Sequence, residues 1–506
     1  MAVAAFLRLY HLPLVPFHHD EGVNGNFLVR LVRDGFYHYD PENYHGPTLY
    51  YFSAIIPWVI RFLFGTSAQN AYGLTTFNIR LVTALFGLGT IFLVLLLRRR
   101  LGAIGSLAAA ALLAVSPGAV YLSRYFIHES LFVFFTLGIV VAAIKYYDDG
   151  HPVYLILAAA SAALLFATKE TWIISAGVLV LALLSTHIYR WLWRSMGLEG
   201  NPAGGRHNSP SEWLQRTVKR LGGPVTVAIW TTVAIAICVT VGVLFYSSFF
   251  TNWKGVSDSL KTFEVWTKTG TQAHVHMWWT YFQWLMQEES PLLLLGALGA
   301  IAAVLKPKNS LAVFCALWAF GILAAYSLVP YKTPWLALNF IVPLAIISGY
   351  AFQVLFELTG RELLRPIILV AAMALGISFY QTIVLNFFKY DDDRYAYVYA
   401  HTRRETLDML DQIDKVAKRS GTGFDTGITI VSPDYWPLPW YFRDYKRVGY
   451  YGRMSNSTEP IIIASEAQLS EVQTTLGDRY IQIDTKFPLR PGVDLLLFVR
   501  KDVAGP

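Results

Sequence analysis

The chain has 506 residues, of which 55% are hydrophobic and only 15% charged, against roughly 25% charged in an average soluble domain. A mean hydropathy of +0.42 excludes packing all of that apolar surface into one water-facing globule. The net charge of +7 falls mostly in short loops between apolar stretches, so it reads as a membrane-orientation signal and calls for no nucleic-acid partner.

Met1–Leu9 is apolar but too short to span a bilayer, and it contains Arg8. It lacks the basic start and small-residue cleavage site of a signal peptide, so it reads as the end of a truncated first span. A loop rich in His, Tyr, Asp and Glu follows, and within it Pro47–Gly65 is apolar but broken by Pro57 and Arg61. That pattern predicts a helix lying in the membrane interface. Ten nearly charge-free segments come next: Leu81–Leu97, Ser106–Leu122, Leu131–Ala143, Val153–Ala167, Ile173–Leu184, Val225–Phe245, Leu292–Leu305, Leu311–Val329, Leu336–Leu355 and Ile367–Phe387. Most approach the ~20 residues a helix needs to cross the hydrocarbon, which with the first gives about eleven spans. Gly200–Pro210 has linker composition. Cys238 and Cys315 lie inside predicted spans, which leaves no disulfide framework or thiolate metal site to read.

From Lys389 the composition becomes that of a soluble α/β segment. It predicts a helix over His401–Arg419, strands over Ile428–Ser432, Ile461–Ala464, Tyr480–Ile483 and Asp494–Val499, and a helix over Glu466–Leu476. Gly421–Gly427 looks like a glycine-rich nucleotide loop, but it follows a helix and precedes a strand, so it reads as a turn. No repeat of short period is present. The fold class is therefore mainly α: a polytopic transmembrane helical bundle with a C-terminal soluble α/β domain. Three parts are expected, residues 1–80 (truncated helix, outer loop and interfacial helix), 81–388 (bundle) and 389–506 (extracytoplasmic α/β domain).

Arg98–Arg100, Arg190, Arg194, Lys219, Arg220, Lys306, Lys308, Arg361 and Arg365 fall in alternate loops, the pattern that marks the cytoplasmic side. The other loops and the tail then face outward. Four ionisable clusters fall in those outward loops: His18-His19-Asp20-Glu21, Arg124 with His128-Glu129, Lys169-Glu170, and Tyr331-Lys332-Thr333-Pro334-Trp335. Ionisable groups next to membrane helices are costly, and their gathering on one face points to a site. Plainer readings stand beside this one. Asp20-Glu21 also suits a helix cap near Gly22, Arg124 and Lys332 suit lipid anchors, and Lys169-Glu170 suits a structural ion pair. His18, His19, His45 and His128 permit a divalent metal, although no H-E-x-x-H spacing is present. The aromatic run Tyr435–Tyr441 suits either stacking on a sugar or lying on the membrane.

A carboxylate at the membrane–water boundary is suited to take a proton from an attacking hydroxyl. Neighbouring cations are suited to hold a departing phosphate. Together these are the needs of transferring a sugar from a lipid-linked phosphate to an acceptor.

The motifs Arg8-Leu-Tyr-His-Leu12, His18-His-Asp-Glu-Gly22 and Tyr44-His-Gly-Pro47 resemble the GT-C class of polytopic glycosyltransferases, within it the protein O-mannosyltransferase and aminoarabinose-transferase branch. With Ala167-Thr-Lys-Glu-Thr171, Pro330-Tyr-Lys-Thr-Pro-Trp335 and Tyr435–Tyr441, the chain is similar to the prokaryotic membrane proteins called "flippase activity-associated". The resemblance implies Asp20 as catalytic base with Glu21 completing its pair, and Glu129 after Arg124 as a second acidic position. It implies Lys332 as the lysine that contacts the lipid phosphate, with Arg124 and Tyr331 beside it. His19, His45, His128, Lys169 and Glu170 are supporting positions. The donor implied is a dolichyl- or undecaprenyl-phosphate sugar, the acceptor a protein, lipid or glycan, and the reaction an inversion. The tail is not the β-trefoil of eukaryotic mannosyltransferases. Two other functions compete: a flippase for a lipid-linked sugar, and a non-catalytic assembly factor recruiting partners through its tail. Transporters place charge at the midplane and use paired repeats, which this sequence lacks.

Overall fold

The computed structural model describes residues 1–43, 45–65, 73–197, 210–272, 274–359, 364–454, 457–483 and 485–504. They form two compact units. The first contains residues 1–10, 37–52 and 81–388, and the second residues 11–36, 53–80 and 389–506. The stretch 1–80, expected as one part, is thus shared between them. The expected linker lies outside the described residues as far as Ser209, as does Arg361; Pro210 opens the helix Pro210–Arg220.

Every predicted apolar segment falls on helix. Seven helices among the described residues are long and apolar enough to cross a membrane: Thr76–Leu96, Glu129–Asp149, Trp172–Ser195, Pro224–Tyr246, Ser310–Leu328, Pro334–Thr359 and Leu364–Phe388. Two more spans are broken, Ala103–Ala114 with Pro117–Ser123 bent by 60°, and Thr280–Glu288 with Ser290–Leu305 bent by 112°. Thr48–Phe64 and Pro152–Phe166 are shorter apolar helices. The chain is a multi-pass integral membrane protein.

Each break has a proline one or two residues after it, Pro117 and Pro291, where the missing N–H prevents the helix from continuing. A break in an apolar bundle leaves carbonyls at one helix end and N–H groups at the next, with no water to satisfy them. At the first break, Arg8 donates to Leu113 O at 3.1 Å and to Ala114 O at 3.0 Å. On the other side Glu289 accepts from the Gly118 N–H at 2.8 Å and from Ser116 Oγ at 2.7 Å. The Arg8 guanidinium therefore meets the carbonyl end, and an oxygen of the Glu289 carboxyl group meets the N–H end. Glu289 itself sits at the second break, so one carboxylate ties both broken spans together. Arg8, read from sequence as an oddity in a short apolar segment, is a buried strut.

Close helix contacts rest on glycines. A Cβ on Gly349 would lie 2.2 Å from Gly105 O, and one on Gly299 would lie 2.0 Å from Ile347 O. Small residues let backbones approach where the hydrophobic effect gives no help.

The second unit holds a six-stranded sheet: β1 (Gly427–Val431), β2 (Arg447–Tyr451), β3 (Ile461–Ser465), β4 (Tyr480–Gln482), β5 (Phe487–Arg490) and β6 (Val493–Arg500). The order is β2-β1-β3-β6-β4, with β5 also paired to β6. β1 is parallel to both β2 and β3, while β6 runs antiparallel to β3, β4 and β5. Ile428, Ile430, Ile461, Ile463, Leu495 and Leu497 pack under the helix Thr406–Arg419 through Met409, Ile413 and Val416. Val431, Ile462, Leu496 and Phe498 pack under the helix Leu469–Leu476 through Val472 and Leu476. Covering on both faces explains why β3 and β6 read as unbroken apolar runs. The sequence pattern missed β2, a half-exposed edge strand, and β5, four residues with a proline. Gly421–Gly427 is a turn containing the short 3-10 helix Gly423–Asp425.

Gly349→Leu should lower the thermal midpoint of the detergent-purified protein, by the equivalent of about 1–3 kcal/mol or more for overpacking. An unchanged midpoint by fluorescence-detected melting would refute the close helix contact at Gly105.

Candidate active site

In the second unit, the helix His19–Arg33 opens inside the HHDEG motif, three residues before Gly22. His18 is its N-cap. The Asp20 N–H donates to His18 Nδ1 at 3.0 Å, and the Glu21 carboxylate accepts from the His18 N–H at 3.0 Å. This is a capping box with histidine in place of serine or threonine. Because Nδ1 accepts, the proton of neutral His18 sits on Nε2, which donates to Tyr399 O at 3.0 Å. Burial holds His18 below its ordinary pKa, and the same cause holds the adjacent His401 well below.

Glu21 also receives a fork from Arg80, Nε to Oε1 at 2.8 Å and Nη2 to Oε2 at 2.6 Å. Arg80 spends its remaining donors on the loop before the helix, on Leu12 O at 3.1 Å and Val15 O at 2.8 Å, and lies over the Phe17 ring. Both members of the pair are fully buried. Such a pair is held by geometry, since neither charge has water to fall back on. Glu21 is therefore a brace. Asp20, one residue earlier, is half-buried, and among the described residues no hydrogen bond or ion pair engages its carboxylate. The two acids of the motif thus differ in their partners.

The aromatic run Tyr435–Tyr441 packs against the motif segment. Trp440 is buried and stacks on Phe17, with centroids 4.6 Å apart, and the Phe17 N–H donates to Tyr441 Oη at 2.8 Å. A Cβ on Gly22 would meet Pro437 at 2.7 Å, and one on Gly25 would meet the Trp440 ring at 2.8 Å. The glycines of the motif helix let it seat directly on this run, so the run carries the helix that presents Asp20.

In the first unit, the YHGP and ATKET loops zip together. The Gly46 N–H donates to Thr168 O at 3.0 Å and the Thr48 N–H to Ala167 O at 3.2 Å. Lys169 Nζ pairs with Glu129 at 2.5 Å, and His45 Nδ1 lies 3.1 Å from Glu170. The His128 Nε2–H donates to Gly46 O at 3.0 Å, and the His128 ring packs 4.9 Å from His45. Burial alone would depress Lys169, but Glu129 and Glu170 raise it above its ordinary value. Burial, with His45 and Lys169 adding to it, holds His128 well below. Five predicted positions, His45, His128, Glu129, Lys169 and Glu170, are thus one buried cluster, and Glu129 is committed to Lys169.

The two predicted phosphate cations are engaged otherwise. Arg124 is buried and donates to Leu7 O at 3.1 Å and Tyr10 O at 2.7 Å, closing the end of the helix Ala2–Leu9. Lys332, also buried, donates to Ser327 O at 3.0 Å and Val329 O at 2.5 Å, the carbonyls that the helix Ser310–Leu328 leaves open. Cations are favourable at helix C-termini, and here both side chains meet open backbone carbonyls. Burial lowers the pKa of Lys332. Tyr331 is half-buried, with its ring 5.4 Å from that of His274.

Among the described residues no three of His, Cys, Asp and Glu come together as metal ligands. Both ring nitrogens of His18 are already in use. Sequence reasoning missed Arg80, Arg8 and Glu289. Each is a single charge beside an apolar stretch, a position that reads as a span boundary.

A family model described as dolichyl-phosphate-mannose-protein mannosyltransferase matches residues 54–199. A search of curated proteins finds no match. Among solved structures, ArnT from Cupriavidus metallidurans bound to undecaprenyl phosphate is similar with a TM-score of 0.65 at 14% identity, covering 100% of this chain and 98% of that one. The same protein in the apo state gives 0.59 at 15% identity, over 100% and 97%. The Archaeoglobus fulgidus oligosaccharyltransferase tethered to an acceptor peptide gives 0.52 at 16%, over 88% of this chain and 62% of that one. The chain shares its fold with ArnT and with the oligosaccharyltransferase, and the family model adds a sequence signal over residues 54–199.

Arg80→Ala leaves Glu21 buried and unpaired, which should cost about 3–5 kcal/mol; thermal melting of the purified variant measures it. The His18 cap has a pH signature. Its folded pKa lies below the ordinary value near 6.5, so the unfolded chain binds the extra proton as pH falls through that range. Its stabilisation is present above about pH 6.5 and is lost on acidification. Melting between pH 7.5 and 5.5 should show the loss, and His18→Asn, which keeps a cap acceptor, should show less of it.

Proposed function

We propose that this GT-C chain is an inverting glycosyltransferase that moves a sugar from a polyprenyl-phosphate donor to an acceptor hydroxyl at the outer membrane–water face. The observation that carries this reading is the presentation of Asp20, an unengaged carboxylate on a helix end whose neighbouring acid is locked by Arg80. The fold shared with ArnT, which was solved with undecaprenyl phosphate, supports a lipid-phosphate donor. The outward placement rests on the alternation of basic loops.

In the proposed reaction Asp20 accepts the proton of the acceptor hydroxyl as the oxygen attacks the anomeric carbon. The bond from that carbon to the phosphate oxygen breaks, the polyprenyl phosphate leaves with the bonding pair, and the configuration inverts. A cation is required for the departing phosphate, the task that the resemblance implies for Lys332.

The test is transfer from a panel of radiolabelled polyprenyl-phosphate sugars by the reconstituted chain, with a membrane extract of the source cells as acceptor pool. Asp20→Asn should lower transfer by about 10²–10⁴-fold, the range for a general base, with an unchanged melting midpoint. A well-folded variant that still transfers sinks the assignment. One observation favours a second reading. The two broken spans tied by Glu289 resemble the discontinuous helices of transporters. Movement of the labelled lipid between leaflets without transfer would select it.

A further inference from the structure

Within the second unit, Arg490 closes strand β5 and reaches toward the motif helix. It forms an ion pair with Asp434, donates to Trp436 O at 3.4 Å, and places Nη1 3.3 Å from His19 Nδ1. A guanidinium carries only donors, so His19 Nδ1 must be the acceptor. The proton of the neutral ring then sits on Nε2. Burial lowers the pKa of His19, Asp20 and Asp434 oppose that, and His18 and Arg490 reinforce it, with a net lowering that keeps the ring neutral. Among the described residues nothing accepts from His19 Nε2–H.

Two further facts bear on what this N–H meets. His19 is half-buried, as is Trp436, whose ring centroid lies 6.2 Å from that of His19. Trp436 packs one ring edge near Gly22 and lies beside the Tyr435 ring but, unlike the buried Trp440, keeps part of its surface exposed. A part-exposed indole beside a fixed N–H donor suits a pyranose, which offers an apolar C–H face and hydroxyl oxygens at its edge. The immediate sequence neighbour of His19 is Asp20.

We propose that His19 Nε2–H and the Trp436 ring form a subsite for the transferred sugar beside Asp20, and that Arg490 is the positioning residue that fixes it. This deepens the glycosyltransferase reading and rests on it. Arg490 acts through His19: it selects the tautomer, orients the ring, and through Asp434 and the Trp436 carbonyl sets the distance to the aromatic. Arginine is required because one planar fork must serve three partners, which a lysine ammonium does not do in the same geometry.

The experiment uses the full reconstituted chain and the donor found active in the panel above. His19→Ala should lower kcat/KM for that donor about tenfold, chiefly through KM, and His19→Gln, which keeps a donor near Nε2, should recover part of it. Arg490→Ala should lower kcat/KM to a similar degree, and the double variant should be no worse than Arg490→Ala alone. Arg490→Lys, which keeps the pair with Asp434, serves as the gentler variant if Arg490→Ala melts early, and should still lose the His19 contribution. Full activity in His19→Ala, or losses that multiply in the double variant, would overturn the proposal. Wild-type transfer that does not depend on Asp20 would instead overturn the reading beneath it.

Discussion

The buried pair between Glu21 and Arg80 is the constraint on which the candidate site depends. Glu21 closes the capping box of the motif helix with one oxygen and takes both prongs of Arg80, so it has no freedom to act on a substrate. Arg80 in turn binds the carbonyls of the loop that delivers the chain to that helix. The position and direction of the first helical turn follow from these bonds, and with them the place of Asp20. A lone carboxylate on a loose loop would lose orientation, which is a large part of what a catalytic base contributes. Here the adjacent acid Glu21 holds the backbone, and Asp20 is left without a hydrogen-bond partner for its carboxylate among the described residues.

The same logic recurs inside the bundle, where water is absent. Broken spans expose backbone groups that hydrocarbon cannot satisfy. Arg8 and Glu289 meet the two ends of one break as donor and acceptor, and Lys332 and Arg124 close the carbonyl ends of two other helices. Charge in this protein is scarce, and much of it terminates helices. The cluster of Glu129, Lys169, Glu170, His45 and His128 joins three segments, with Lys169 paired to Glu129 and His45 beside Glu170. Such clusters stabilise little in net terms once desolvation is counted, but removing one member is severe.

The apolar segments were legible because a span needs a long uncharged run, and no tertiary contact can substitute for it. The strands β1, β3, β4 and β6 were legible for a related reason: apolar β-branched runs between turn residues. The edge strand β2 and the short β5 were not, since their residues face water or include Pro488, and pairing alone makes them strands. The likeness of HHDEG, YHGP and PYKTPW to GT-C enzymes pointed to the right fold. It implied Asp20 as base with Glu21 beside it, but gave no sign that Arg80 is the partner of Glu21, because a partner distant in sequence leaves no mark in a one-dimensional pattern. Nor did it reveal that Arg124 and Lys332 are bound to carbonyls, or that Trp440 is a seat for the motif helix.

What the sequence by itself determined is composition in space: which stretches belong in lipid, which loops carry charge, and which motifs gather chemistry. Hydrophobicity and charge are properties of residues, so they survive without coordinates. What only the tertiary structure decided is the partner of each charge. Glu21 lies 59 residues from Arg80, and Arg490 lies 471 from His19. A hydrogen bond depends on a few tenths of an ångström between atoms that the chain brings together only when folded, and that distance decides which carboxylate gains the guanidinium as its partner.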